Sequence, residues 1–233
     1  MYNFDEAKYI YCERDFGLKK ETGNTYYRLF TNHESENLLF IGNNSSGKMG
    51  YHLAKQAANL GAEVTIIMGP SNLNAEDEGI LQINVKTAEE MLVKVQQYFQ
   101  NSDIAIFSAA VADYKVKNKE KDKIKKKESM DLSLEKNIDI LGHISNHNSL
   151  RPKIVIGFAA ETNNLTKNSK TKLSEKNCDW MIANDVSDPS IGFESDFNEV
   201  SIFYKNMDSE KLPKMKKSLL ADKIVKRVIS QLN

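Results

Sequence analysis

From Leu38 towards the C-terminus, short apolar runs alternate with longer segments whose apolar residues recur at three- and four-residue steps, and this alternation limits the chain to few folds. The run Leu38-Leu39-Phe40-Ile41 leads through a small polar loop into a helix from about Lys48 to Leu60. There Met49, Leu53, Ala57 and Leu60 form one buried stripe, and Gly61 ends it. Glu63 to Met68 is β-branched and apolar and stops at Gly69-Pro70, the pattern of a buried strand. The same logic predicts a helix over Ala88–Gln100, a strand over Ile104–Ser108, a strand over Lys153–Gly157 and a helix over Leu165–Lys176. Strands at Trp180–Ala183 and Glu199–Tyr204 and a closing helix from about Lys216 to Leu232 complete it. Strands that alternate with helices predict an α/β fold with a mostly parallel sheet covered on both faces. Ligands of such sheets sit beyond the C-terminal ends of the strands, so the loops there carry the candidate chemistry.

The 233 residues suffice for one sizeable core. Lys plus Arg and Asp plus Glu both number 32, so no global field attracts nucleic acid or an anionic membrane. Cys12 and Cys178 are far apart and have no close-spaced partner of the kind that binds zinc or exchanges disulfides, which fits a reducing, cytoplasmic setting. No uninterrupted apolar stretch reaches the roughly 18 residues of a membrane span. Two regions break the alternation. Residues 115–127 are almost all charged and are expected to be mobile, while residues 1–37 are polar, lack a clear period and form a separate N-terminal segment ahead of a domain over 38–233.

Four segments are candidates for chemistry. Gly42-Asn43-Asn44-Ser45-Ser46-Gly47-Lys48-Met49 joins a strand to a helix, where backbone amides attract anions and glycines let a phosphate approach. A Walker loop needs Ser or Thr after its lysine to hold magnesium, and Met49 stands there instead. Ser45 or Ser46 acting only as a helix cap is the plain structural alternative. Ser108-Ala109-Ala110-Val111-Ala112-Asp113-Tyr114 follows a strand, with small residues that admit a ligand and a carboxylate at the strand end; a buried strand running into a capped turn looks the same. Lys123-Ile124-Lys125-Lys126 reads as a solvated charge run or as the tip of a β-hairpin arm able to lay a lysine over a triphosphate. Gly157-Phe158-Ala159-Ala160-Glu161-Thr162 precedes Lys172 and Lys176, which share a helix face and can grip phosphate together or stand as surface lysines.

In this order, NNSSGKMG, SAAVADY, KIKK, GFAAETNN and ANDVS resemble the phosphopantothenoylcysteine synthetase family, over a span from about Leu38 to Tyr204. The resemblance implies a Rossmann-like domain with a β-hairpin arm at about 115–136 that serves as flap and dimer contact. In many bacteria this domain follows a flavin-dependent decarboxylase, for which 233 residues leave no room. The implied activity joins 4'-phosphopantothenate to cysteine through an acyl-nucleotide formed from CTP with magnesium, in a homodimer, during coenzyme A synthesis. A carboxylate is a poor electrophile, and the nucleotide supplies its leaving group, so catalysis rests on placement and charge neutralisation.

By the same resemblance, Asn43 and Lys123 are catalytic, with Asn43 also on the phosphopantothenate and acyl-nucleotide and Lys123 on the flap over the triphosphate. Ala109, Ala110 and Asp113 line the substrate site. Ser46, Gly47, Asp113, Ile138, Asp139, Ile140, Leu141, Phe158, Lys172 and Lys176 contact the nucleotide, Ile138 standing where the family has proline. The family's ITAGGT-like turn has no counterpart in residues 8–37, where Tyr9–Cys12 is the one candidate strand. Two other functions stay open on sequence: a Walker-type phosphohydrolase, and a nucleotide-binding paralogue without catalysis. A dinucleotide oxidoreductase is disfavoured, since no G-x-G-x-x-G follows a strand.

Overall fold

The computed structural model describes residues 45–76, 79–118, 131–186 and 195–232, together with the backbone of 25–31 and 37–43. Its strands are β1 (Thr25–Thr31), β2 (Asn37–Asn43), β3 (Thr65–Met68), β4 (Leu81–Asn84), β5 (Ile104–Phe107), β6 (Tyr114–Val116), β7 (Leu134–Lys136), β8 (Ile154–Glu161), β9 (Trp180–Asp185), β10 (Phe197–Tyr204) and β11 (Ser209–Lys216). Its helices are α1 (Lys48–Asn59), α2 (Ala88–Tyr98), α3 (Ile140–Ser145), α4 (Leu165–Glu175) and α5 (Lys217–Ser230). Lys123 and Tyr9–Cys12 lie outside the described residues.

The largest sheet has five strands in the order β11-β10-β9-β8-β5. It is mixed rather than mostly parallel: β5, β8 and β9 run parallel, whereas β10 and β11 are antiparallel. The reason lies in connection length. Helical crossovers return the chain to the same edge and give parallel neighbours, but only a tight turn separates Tyr204 from Ser209, which forces a hairpin. Three two-stranded ladders complete the fold: parallel β3-β4 and antiparallel β1-β2 and β6-β7.

Alternation along the central strands splits the core into two layers. On one face Ile156, Trp180, Ile182, Val200 and Ile202 pack with Leu53 of α1 and with Leu220, Ala221, Ile224, Val225 and Val228 of α5. Those α5 positions recur at three- and four-residue steps, so the helix buries one stripe and leaves the other side wet. On the opposite face Ala159, Met181, Ala183 and Phe203 meet Leu173 of α4. Helices thus cover both faces, as the pattern of strands and helices predicts. The indole of Trp180 is buried, lies edge-on to Tyr204 at 5.0 Å and donates through Nε1 to Gln231 at 3.0 Å, tying β9 to the end of α5. A third cluster, Val85, Met91, Phe99, Ile140 and Ile144, joins α2 to α3. Helix α2 starts on a reciprocal cap, Thr87 accepting from the Glu90 amide at 3.1 Å and Glu90 accepting from the Lys86 amide at 2.7 Å.

Lys217 opens α5 with only 4% of its surface exposed. Burial pushes its ammonium down from the ordinary 10.5 to about 8, with Lys48 adding to the effect and Asp196 opposing it. A lysine whose folded pKa is depressed binds fewer protons folded than unfolded between those two values, so its penalty is present below pH 8 and is relieved as pH rises from 8 to 10.5. With allowance for the solvent that still reaches it, Lys217→Met is expected to be more stable than wild type by about 2 kcal/mol at pH 7. Urea unfolding of both proteins at pH 7 and pH 10 reads the effect. A difference that does not shrink with rising pH rules the account out.

Candidate active site

The turn into α1 is held from two sides. Gly47 takes the N-cap position with φ 73°, a left-handed conformation that suits glycine, and supplies no side-chain cap to the helix. The serines nevertheless serve the helix start, Ser45 Oγ accepting from the Gly47 amide at 3.4 Å and Ser46 Oγ from the Lys48 amide at 3.5 Å. A Cβ on Gly47 would sit 3.3 Å from the end of Met68 and 3.4 Å from Ser71 Oγ, and Ser71 donates to the Ser46 carbonyl at 3.1 Å. The loop after β3 thus braces this turn. One helical turn on, a Cβ on Gly50 would lie 2.9 Å from Ser108 Oγ, so α1 also rests against the loop after β5. Lys48 pairs with Asp196 at 2.6 Å, and Met49 packs against the apolar layer shared by α1 and α5. Neither has the placement that a Walker loop demands. Asn43 ends β2, with its backbone paired to Thr25.

Beyond β5, Ala109 and Asp113 are exposed and Ala110 is half-buried. Asn137 fastens this loop to the turn before α3, its amide N–H donating to the Asp113 carbonyl at 2.7 Å and its side chain to the Ala112 carbonyl at 3.1 Å. The same clamp closes the base of the β6-β7 arm. Lys115 of β6 pairs with Glu89 of α2 at 2.6 Å, and that hydrogen bond holds its ammonium above the ordinary lysine value. Ile138 is exposed, and Asp139 caps α3 by accepting from the Gly142 amide at 3.1 Å. Asp139 also takes the Lys176 ammonium on its second oxygen. Ile140 is buried, while Leu141 lies over Gly157 of β8, where a Cβ would come within 2.6 Å of its Cδ2.

At the end of β8, Glu161 turns towards α4. Its Oε1 receives Lys172 at 2.7 Å and its Oε2 receives Asn168 at 2.9 Å. Phe158 is on the other side of the sheet, packed against the α1 and α5 layer beside Met49. Two groups of predicted residues therefore form. Asp113, Ile138, Asp139, Lys172 and Lys176 follow one another through the Asn137 clamp and the two ion pairs. Ser46 and Gly47 form the turn into α1, and Phe158 packs on the apolar layer that α1 shares with α5. At the C-terminal ends of β5 and β8, Phe107 opposite Gly157 brings Ser108 level with Phe158.

These loops lie where open parallel strands bind ligands. A model of the DNA/pantothenate metabolism flavoprotein C-terminal domain matches residues 31–232. The chain belongs to this family. It is 43% identical over 205 residues to the coenzyme A biosynthesis bifunctional protein CoaBC of Borreliella burgdorferi, covering 85% of this chain and 51% of that protein. The CoaBC protein of Escherichia coli is 38% identical over 196 residues, covering 82% and 48%. The chain therefore spans about half the length of the curated relatives it matches. A crystal structure of the C-terminal domain of a CoaBC protein superposes with a TM-score of 0.68 at 32% identity, covering 90% of this chain and 92% of that one. A Cab2 mutant in complex with phosphopantothenate-cysteine shares the fold, with a TM-score of 0.60 at 14% identity and coverage of 89% and 83%. All five motifs that carry the sequence resemblance fall inside the matched span.

Sequence reasoning did not single out Glu161, Asn168 or Asn137 as functional. Glu161 had a signal in the GFAAET run that went unused, since a carboxylate ending an otherwise apolar strand needs a partner. Asn137 carried none, because its role exists only once β6 and β7 pair.

Proposed function

We propose that this chain is the ligase that joins 4'-phosphopantothenate to the amine of cysteine in coenzyme A biosynthesis, with CTP as the activating nucleotide. The observation that carries the reading is the family match over residues 31–232, supported by Ser108 and Phe158, each within a family motif, standing level at the C-terminal ends of β5 and β8. In the first step the pantothenate carboxylate attacks the α-phosphorus of the triphosphate, forming an acyl-cytidylate and releasing pyrophosphate. In the second, the cysteine amine attacks the acyl carbon and CMP leaves as the amide forms. Asn43, Ala109, Ala110 and Asp113 border the acid. Ser46, Gly47 and Phe158 lie on the α1 side of the nucleotide, and the Ile138 to Leu141 turn, Lys172 and Lys176 on the other. Lysines near the phosphates neutralise charge that grows as pyrophosphate departs.

Among the described residues no group of three or more His, Cys, Asp or Glu forms a metal cage. Magnesium therefore fits as an ion carried on phosphate oxygens and water, with the exposed carboxylate of Asp113 at the rim of its path. When bound, it withdraws charge from the phosphates. The β6-β7 arm, with Lys123 in the segment between its strands, is read as the lid over the triphosphate. Tyr114 is 56% exposed and Leu134 39%, giving the arm apolar surface for a second copy of the chain. A cytoplasmic site of action belongs to the same reading; no helix among the described residues is long and apolar enough to cross a membrane.

Incubating the protein with phosphopantothenate, cysteine, magnesium and each triphosphate in turn tests the proposal. CTP is expected to give the ligated product and pyrophosphate in equal amounts. Triphosphate hydrolysis that needs neither acid nor amine, or nucleotide binding without pyrophosphate release, would replace the ligase with one of the other two functions.

A further inference from the structure

We infer that Glu161 is a positioning residue, which fixes the Lys172 ammonium where a nucleotide phosphate meets it; this rests on the nucleotide role proposed above for Lys172. The Glu161 side chain is only 9% exposed although it ends a strand at the rim of the sheet. A buried carboxylate is tolerated only where its oxygens are satisfied, and here each oxygen has its own donor on α4. Asn168, Lys172 and Lys176 are spaced at four-residue steps, so they form one ladder along the helix face that looks onto β8 and α3. Glu161 takes the first two rungs and Asp139 the third. Asn168 in turn reaches the Asn163 carbonyl at 3.2 Å, which locks the loop that leads from β8 into α4.

The asymmetry of the Glu161–Lys172 pair gives it a function beyond joining strand to helix. The lysine side chain stays 43% exposed while its partner is buried. An ammonium has three donors, and the bond to Glu161 uses one, so hydrogen-bonding capacity remains on the exposed side. A free lysine would have to give up most of its rotamer freedom to hold a phosphate. Glu161 removes most of that freedom in advance, and this is preorganisation in the physical sense. Lys176 is arranged in the same way by Asp139, but Asp139 is itself half-exposed, which makes Glu161 the stiffer of the two anchors.

The test is CTP affinity, measured by calorimetry with magnesium present, alongside steady-state kinetics. Glu161→Gln keeps the size of the side chain and removes the charge; it is expected to weaken CTP binding about tenfold and to raise the KM for CTP alike, with the KM values for phosphopantothenate and cysteine within about twofold of wild type. In a Lys172→Met background the same substitution is expected to change CTP affinity less than twofold, because the group it positions is gone. Unchanged CTP affinity in Glu161→Gln, or an equal loss with and without Lys172, overturns the inference and leaves a structural tie. Should Glu161→Gln fail to fold, Asn168→Ala, which frees one carboxylate oxygen, is expected to show the same selective loss for CTP; equal losses for all three substrates would overturn the inference. A wild-type protein that does not bind CTP at all would remove both this inference and the nucleotide reading beneath it.

Discussion

Asn43→Asp is expected to slow formation of phosphopantothenoylcysteine about a thousandfold while leaving the fold intact. In the proposed reaction the site holds a carboxylate, a triphosphate and then a mixed anhydride between them, so its dominant electrostatic problem is negative charge. A neutral amide both donates and accepts, and can follow the acid from its free form into the acyl-nucleotide. A carboxylate in its place can only accept when ionised, and in the role proposed for Asn43 it adds a like charge beside the reacting acid. At about 4 Å and an effective dielectric of about 20, that repulsion is on the order of 4 kcal/mol, which corresponds to the thousandfold loss. The backbone of Asn43 ends β2 just before the turn into α1, where the loop after β3 braces that turn through Ser71. Single-turnover measurement of pyrophosphate release and amide formation separates the two steps, and circular dichroism controls for folding. A variant within about threefold of wild type in both steps would take Asn43 out of the site.

The prediction begins from sequence, and so does much of the fold. Helices α1, α2 and α5 and strands β3, β5, β8 and β9 were legible because each carries an apolar run or a helical stripe; α4 and β10, with fewer or interrupted apolar residues, were legible from their place in the alternation. Strand β11 was not. It alternates Leu212 and Met215 with lysines and contains Pro213, which is acceptable only because β11 is an edge strand whose outward amides need no partner. Strand β4 is four residues long with both ends exposed, and α3 is six residues long; neither is long enough to show a period. The mixed character of the sheet was missed with β11 and with the direction of β10, which was legible as a strand but runs antiparallel to β9 as well as to β11.

The site divides along the same line. Motif loops could be read because they combine small residues with polar ones directly after apolar runs. The pairs Glu161–Lys172 and Asp139–Lys176 could not, because the partners lie 11 and 37 residues apart and meet only when α4 packs on β8 and α3. Nor did spacing reveal that Phe158 and Lys172 approach from opposite faces of the sheet, although the alternation within β8 determines it: Ile156 and Phe158 look towards α1 and α5, Ala159 and Glu161 towards α4. A ligand touching both must lie across the ends of the strands rather than against either face.

That geometry makes Gly157 the position where fold and site are most tightly coupled, and Gly157→Val is expected to cost about 3 kcal/mol of stability. The strand itself is no obstacle, since valine suits β structure. The obstacle is Leu141: the first added carbon would already stand 2.6 Å from its Cδ2 and 3.0 Å from the end of Met181, and valine adds two methyls beyond that. Met181 belongs to the layer beneath α4 and has little room to yield. Leu141 is the easier group to displace, and it moves with α3, whose N-cap is Asp139. Gly157→Val is therefore expected to weaken nucleotide binding as well as stability, although Gly157 itself touches no phosphate in the proposed reaction. Urea unfolding and CTP titration read the two effects. The double variant Gly157→Val, Leu141→Ala gives the added methyls the space that leucine vacates, so it is expected to recover stability relative to the sum of the single changes by on the order of 1 kcal/mol or more. Strict additivity would mean that Gly157 and Leu141 do not share the space assigned to them, and that α3 is positioned by some other contact.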